Sequence, residues 1–149
     1  MIEITLHRHD ARWKGLAPTV KRAVEAALAQ QRIRRGAVAV VLTDDKAIAK
    51  LNGTYRNKPK PTNVLSFPDD AVEEGVRQLG DVVLAYDTIA REAKAQGKPL
   101  KHHLTHLTIH GVLHLLGFDH ERERDAKAME SREISILARM GIANPYESA

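Results

Sequence analysis

Hydrophobic residues recur along the chain at two spacings, every second residue in some segments and every third or fourth in others. Alternation or short β-branched runs predict four strands, at residues 2–7, 37–43, 64–67 and 79–86. Helical spacing predicts five helices, at about residues 18–33, 45–53, 88–97, 99–116 and 123–140. The polar residues 69–78 are expected to form an exposed loop. The pattern therefore predicts a single α+β domain over residues 1–149, with a small mixed sheet of about four strands and about five helices.

One predicted helix carries histidines on an otherwise apolar background, in HGVLHLLGFDH at residues 110–120. His110 and His114 are one helical turn apart, so their side chains share a face. Gly117 is expected to end the helix, because glycine tolerates a positive φ, and His120 can then return to the same ion. Three neutral histidines with one open position are typical of catalytic zinc. The sequence thus predicts one Zn²⁺ bound by His110, His114 and His120, although this spacing does not exclude another divalent ion.

The histidine spacing coincides with the metal-binding helix of the zincins, but it departs at Gly111. Metzincins place a glutamate there, which acts as the general base of peptide hydrolysis. A zinc metalloprotease-like hydrolase therefore remains an alternative that lacks its usual base. Glycine at this position is also expected to leave space above the metal for a substrate.

Two residues beside the predicted ligands have open roles. Asp119 either orients a ligand histidine through a hydrogen bond or caps the turn. His106 lies one turn before His110 and is expected to be a neighbour of the site and not a ligand.

Composition narrows the remaining chemistry. The chain has no cysteine, which excludes disulfides, thiolate ligands and cysteine nucleophiles and suits a reducing cytosol. No apolar stretch reaches about 18 residues, so no membrane span is expected, and the N-terminal residues are not typical of a secretory signal. The formal net charge of +4 is compatible with an anionic partner such as RNA but does not require one.

A basic segment precedes the third predicted strand, in LNGTYRNKPKPTNVLSFP at residues 51–68. Arg56 could bind a phosphate with its planar guanidinium group, and Lys58 and Lys60 would add charge without fixed geometry. Composition alone favours the simpler alternative of a solvated basic loop.

The two motifs together resemble those of the YbeY family of bacterial endoribonucleases and rRNA maturation factors. LGDVVLAY and EAKAQGKPL also match, so the resemblance extends from about residue 37 to 140. It implies one zinc ion held by His110, His114 and His120, and a functional role for Arg56. On that basis we expect His114 and Arg56 to be catalytic residues and Arg56, Lys58 and Lys60 to bind substrate.

The resemblance also implies a biological setting. The reaction would be metal-dependent cleavage of single-stranded RNA, in maturation of the small-subunit rRNA 3′ end and in ribosome quality control in the cytoplasm. RNA, ribosomal RNA and the small ribosomal subunit would be partners, and no membrane or nucleotide cofactor is expected. A non-catalytic assembly factor, with zinc holding the last helix in place, remains a further alternative.

Overall fold

A mixed sheet lies at the centre of the computed structural model, which describes residues 1–119 and 121–147. Its strands are β1 (Ile2–Arg8), β2 (Gly36–Thr43), β3 (Val64–Pro68), β4 (Val72–Glu73) and β5 (Val76–Ala85). The main path has the order β1-β2-β5-β3, and β4 pairs with the first residues of β5. β1, β2 and β5 are mutually parallel, whereas β3 and β4 run antiparallel to β5.

Five α-helices surround this sheet in the described part of the chain, as the sequence predicts. They are α1 (Ala17–Gln30), α2 (Asp45–Arg56), α3 (Tyr86–Ala95), α4 (Leu100–Leu115) and α5 (Glu123–Arg139), with a 3₁₀ turn at Ala11–Trp13. None of these described helices is both long and apolar enough to span a membrane. The α+β class and the mixed sheet are confirmed.

The core is divided between the two faces of the sheet. Val82 and Leu84 of β5 join the larger cluster, which α1, α4 and α5 cover, whereas Val83 joins a smaller cluster with Ile48 of α2. This division follows from the two-residue period of a strand, which sends successive side chains to opposite faces. Most residues of α4 are buried, so its histidines lie on a helix that is packed into the core.

Two expected boundaries are wrong. Residues 69–78 are not only loop, because Glu74 and Gly75, with φ of 51° and 79°, form the two-residue turn of a hairpin between β4 and β5. Glu-Gly lacks the Asn or Asp that makes such turns recognisable. α2 also continues past Gly53 to Arg56. Pro59 packs there, and a Cβ on Gly53 would lie 3.2 Å from the Pro59 ring.

Candidate metal centre and its cleft

His110 and His114 converge at the C-terminal end of α4. Their Nε2 atoms lie 3.2 Å apart. Two nitrogen ligands of a tetrahedral zinc, each at about 2.0–2.1 Å from the ion, are themselves about 3.3–3.4 Å apart. The two imidazoles therefore have the mutual spacing that a shared cation requires.

The helix ends directly after these histidines, as predicted. Gly117 has a φ of 97°, its N–H donates to the carbonyl of His114 at 3.0 Å, and the Phe118 N–H donates to Leu113 at 3.1 Å. These two hydrogen bonds are the Schellman motif, which satisfies carbonyls at a helix C-terminus and reverses the chain. His120, the third predicted ligand, lies outside the described residues.

A carboxylate on α5 supports the histidine pair. Glu133 is fully buried, and its Oε1 accepts hydrogen bonds from His106 Nε2 at 2.6 Å, Tyr146 Oη at 2.8 Å and His110 Nδ1 at 3.3 Å. Burial raises the pKa of Glu133, but the hydrogen bonds from His106 and His110 outweigh burial and hold that pKa below its ordinary value. Glu133 is therefore a carboxylate at neutral pH.

The hydrogen bond to Glu133 also decides which nitrogen of His110 carries the proton. If Nδ1 donates to the carboxylate, Nε2 is the acceptor nitrogen and faces His114. An imidazole that binds zinc through Nε2 needs this tautomer. Within residues 1–119 and 121–147, no group of three or more His, Cys, Asp or Glu side chains is arranged to hold a metal. The described part thus supplies two of the three predicted ligands, and their chemistry and spacing fit zinc.

Gly111 does not leave space above the metal, which corrects that expectation. It is buried against the sheet, where a Cβ would lie 2.8 Å from Val82 Cγ1 and 3.2 Å from both Val64 Cγ2 and Ser66 Oγ. Ser66 Oγ donates to the Gly111 carbonyl at 2.8 Å. Glycine at this position therefore allows α4 to approach β3 and β5 closely, and it leaves no room for the zincin glutamate.

A cleft of about 610 Å³ lies beside the histidine pair and runs between α4, β3 and the segment after α2. Arg56 and Lys58 line it together with His110 and His114, whereas Lys60 is exposed but is not among its lining residues. The Arg56 side chain forms no ion pair with the described residues.

The end of α2 fixes where this basic segment lies. Arg56 is the last helical residue, and Asn57 follows in the left-handed region with a φ of 56°. The backbone carbonyl of the buried Asn52 accepts a hydrogen bond from the Lys58 N–H at 3.2 Å, and the Asn52 side-chain amide donates to the Lys60 carbonyl at 3.0 Å. The backbone of the segment is thus tied to the helix, whereas the side chains of Arg56, Lys58 and Lys60 are exposed, as they would also be in the simpler alternative of a solvated basic loop.

Asp119 lies in the lining of the same cleft. Its Oδ1 accepts the N–H of Glu121 at 3.0 Å, which is the turn-capping interaction. Of the two roles considered for Asp119, the contacts among the described residues include the one expected for capping the turn.

Two of the histidines before the motif, His103 and His106, have structural partners. His103 is buried and shares a 2.9 Å hydrogen bond with Glu92, and His106 bonds to Glu133 as a neighbour of the site. Sequence reasoning did not find Glu133. A signal existed, because Glu133 falls at helical spacing among the buried Met129, Ile136 and Leu137, where a charged residue is unusual.

These features define a class of protein, a small α+β domain in which a histidine-bearing helix lies beside a cleft lined by Arg56 and Lys58. The family model described as Endoribonuclease YbeY matches residues 2–141. The chain belongs to the YbeY endoribonuclease family.

Named relatives agree with this family. Two proteins called Endoribonuclease YbeY from different strains of Rhodopseudomonas palustris are 54% and 48% identical over 134 residues, which cover 86% and 85% of this chain and 70% and 80% of those proteins. The Endoribonuclease YbeY of Magnetococcus marinus is 53% identical over 120 residues, covering 73% of this chain and 82% of its own.

A solved structure shares the fold. The solution structure of TM1509 from Thermotoga maritima aligns with a TM-score of 0.59 at 24% identity, and the alignment covers 99% of each chain. At this identity the likeness supports the fold alone.

Proposed function

We propose that this protein is a zinc-dependent endoribonuclease that cleaves single-stranded RNA. Its setting would be maturation of the small-subunit rRNA 3′ end and ribosome quality control in the cytoplasm, with ribosomal RNA and the small ribosomal subunit as partners. Membership of an endoribonuclease family supports a hydrolase that acts on RNA. The observation that carries the proposal is the single cleft that Arg56 and Lys58 share with His110 and His114.

The histidines would hold the ion, with His120 as the third ligand. A bound zinc ion supplies Lewis-acid chemistry, which polarises a phosphoryl oxygen and lowers the pKa of a nucleophilic water. The chain's own residues bind and orient the RNA. Arg56 would bind the scissile phosphate and stabilise the negative charge that develops in the transition state. Lys58 and Lys60 would bind the flanking phosphates.

The geometry at Gly111 argues against the peptidase alternative. That reaction needs a carboxylate directly after the first histidine, whereas a Cβ at the Gly111 position would lie 2.8 Å from Val82 Cγ1, so a neighbouring group must shift to admit a side chain. Among the residues that line the cleft, Arg56 and Lys58 suit a phosphodiester backbone better than a neutral peptide, and Asp119 and Glu121 lie in the same lining.

The decisive experiment pairs metal analysis with cleavage assays on His114→Ala and Arg56→Ala. His114→Ala should lose zinc and RNA cleavage together, because one of three ligands is gone. Arg56→Ala should keep zinc and lose cleavage. A panel of fluorescent peptides, run beside single-stranded and duplex RNA, separates the peptidase alternative.

The matched His114 variant also controls for contaminating nucleases, since it is purified in the same way. Cleavage of RNA by His114→Ala at the wild-type rate would show that the metal site is not catalytic. Loss of folding on zinc removal, with no cleavage by the zinc-loaded wild type, would support the assembly-factor alternative.

A further inference from the structure

Packing of the fold alone does not explain why the charged side chain of Glu133 is fully buried. Its side chain has no exposed surface, and three donors converge on one oxygen, Oε1, from α4 and from the C-terminal segment. Its other oxygen, Oε2, has no hydrogen-bond partner among the described residues. A buried carboxylate with one unsatisfied oxygen is a poor way to stabilise a helix interface, and a well-packed apolar residue commonly serves as well or better.

The arrangement of the donors indicates what the carboxylate does instead. One of the three is Nδ1 of His110, whose Nε2 faces His114. A carboxylate that accepts a hydrogen bond from one imidazole nitrogen fixes the ring's orientation and keeps the ring proton on that nitrogen. The other nitrogen then becomes more basic toward a metal. His106 and Tyr146 approach the same oxygen and hold the carboxylate in place.

We propose that Glu133 is a positioning residue of the metal site, which orients His110 and keeps Nε2 as its ligating nitrogen. The proposal rests on the proposed function insofar as His110 and His114 bind zinc. In this proposal the metal site includes α5 as well as α4, because Glu133 of α5 and Tyr146 of the C-terminal segment contribute to metal affinity without contacting the ion.

Glu133→Gln tests the role, because the amide keeps the shape of the side chain and removes its charge. Zinc affinity, measured by competition with a chromophoric chelator, should fall about 10- to 100-fold. Tyr146→Phe removes one donor to the carboxylate and should weaken zinc binding less, by a few-fold. Glu123→Gln is the matched control, since it makes the same change at an exposed position of the same helix and should leave zinc affinity unchanged.

A second measurement reads the tautomer without metal. Two-dimensional ¹H–¹⁵N spectra of the imidazole nitrogens in the zinc-free protein should show His110 protonated at Nδ1 in the wild type and as a mixture of tautomers in Glu133→Gln. A purely structural role would lower the unfolding temperature of Glu133→Gln and leave this signature and the zinc affinity unmoved.

Three outcomes decide the question, with His114→Ala measured alongside. Weaker zinc binding in Glu133→Gln with the tautomer change supports the positioning role. Wild-type zinc affinity in a folded Glu133→Gln, while His114→Ala loses zinc, overturns that role and leaves the proposed function standing. Unchanged zinc affinity in both variants overturns both.

Discussion

The turn at Gly117 offers the sharpest test of how the backbone builds the metal centre. Gly117 has a φ of 97°, and a Cβ added there would meet nothing within 4 Å. Gly117→Ala therefore introduces no clash, and its whole cost is the conformation of the backbone. A left-handed conformation costs a non-glycine residue roughly 1–2 kcal/mol. Alanine recovers about 0.5 kcal/mol of this because it restricts the unfolded chain.

If the turn kept its strained conformation without zinc, the loss of stability would be about 1 kcal/mol, which is about 3 °C in Tm for a domain of this size. Without zinc, however, the turn is free to relax, so the zinc-free variant should lose less than this. Zinc requires the strained turn, so the 1–2 kcal/mol is taken from the binding free energy instead, and zinc affinity should fall by up to about 5- to 30-fold.

Gly141 provides the matched control. It closes α5 with the same pair of hydrogen bonds, has a φ of 76°, and would also meet nothing within 4 Å as alanine. Urea unfolding without metal should show a loss of at most about 1 kcal/mol in either variant, and only Gly117→Ala should lose zinc affinity by chelator competition. Equal zinc affinities in the two variants would refute the idea that the glycine turn assembles the site.

Three further predictions concern packing, charge and pH. Gly111→Ala places a Cβ 2.8 Å from Val82 Cγ1, and the resulting overpacking should cost about 1–3 kcal/mol, more than the helix-propensity gain of about 1 kcal/mol. Urea unfolding should therefore show a net loss of about 1 kcal/mol in the free energy of unfolding. A more stable variant would contradict this packing. Lys58→Ala should reduce the magnitude of the slope of log RNA affinity against log salt concentration by about 0.7, and Lys60→Ala, outside the cleft lining, should reduce it less. Equal slopes in the two variants would contradict this difference between the two lysines. Burial lowers the pKa of His103 although Glu92 opposes this, so its contribution to stability is present above about pH 6.5 and is lost as pH falls through the lowered pKa. Urea midpoints at pH 7.5 and 5.0 should therefore differ more in the wild type than in His103→Gln, and identical differences would count against the neutral buried imidazole.

Local patterns made much of the fold predictable. α4 and the turn at Gly117 each depend on residues within one or two turns of one another, so spacing and residue type are sufficient. The hairpin of β4 and β5 escaped prediction because its turn residues, Glu74 and Gly75, are only half typical of such turns.

Part of the site can be predicted from the sequence, and the rest depends on the tertiary structure. The histidine pair could be predicted from the sequence, because a helix places residues four apart on one face whatever its surroundings. The role expected for Arg56 comes from the resemblance of its motif to the family and not from spacing. Only the tertiary structure brings Arg56 and Lys58 into one cleft with His110, shows that Gly111 serves the contact between α4 and the sheet, and places the Glu133 carboxylate behind a ligand histidine. These relations join separate elements, and their distances depend on how the helices pack against β3 and β5, which no local pattern of hydrophobic and polar residues specifies.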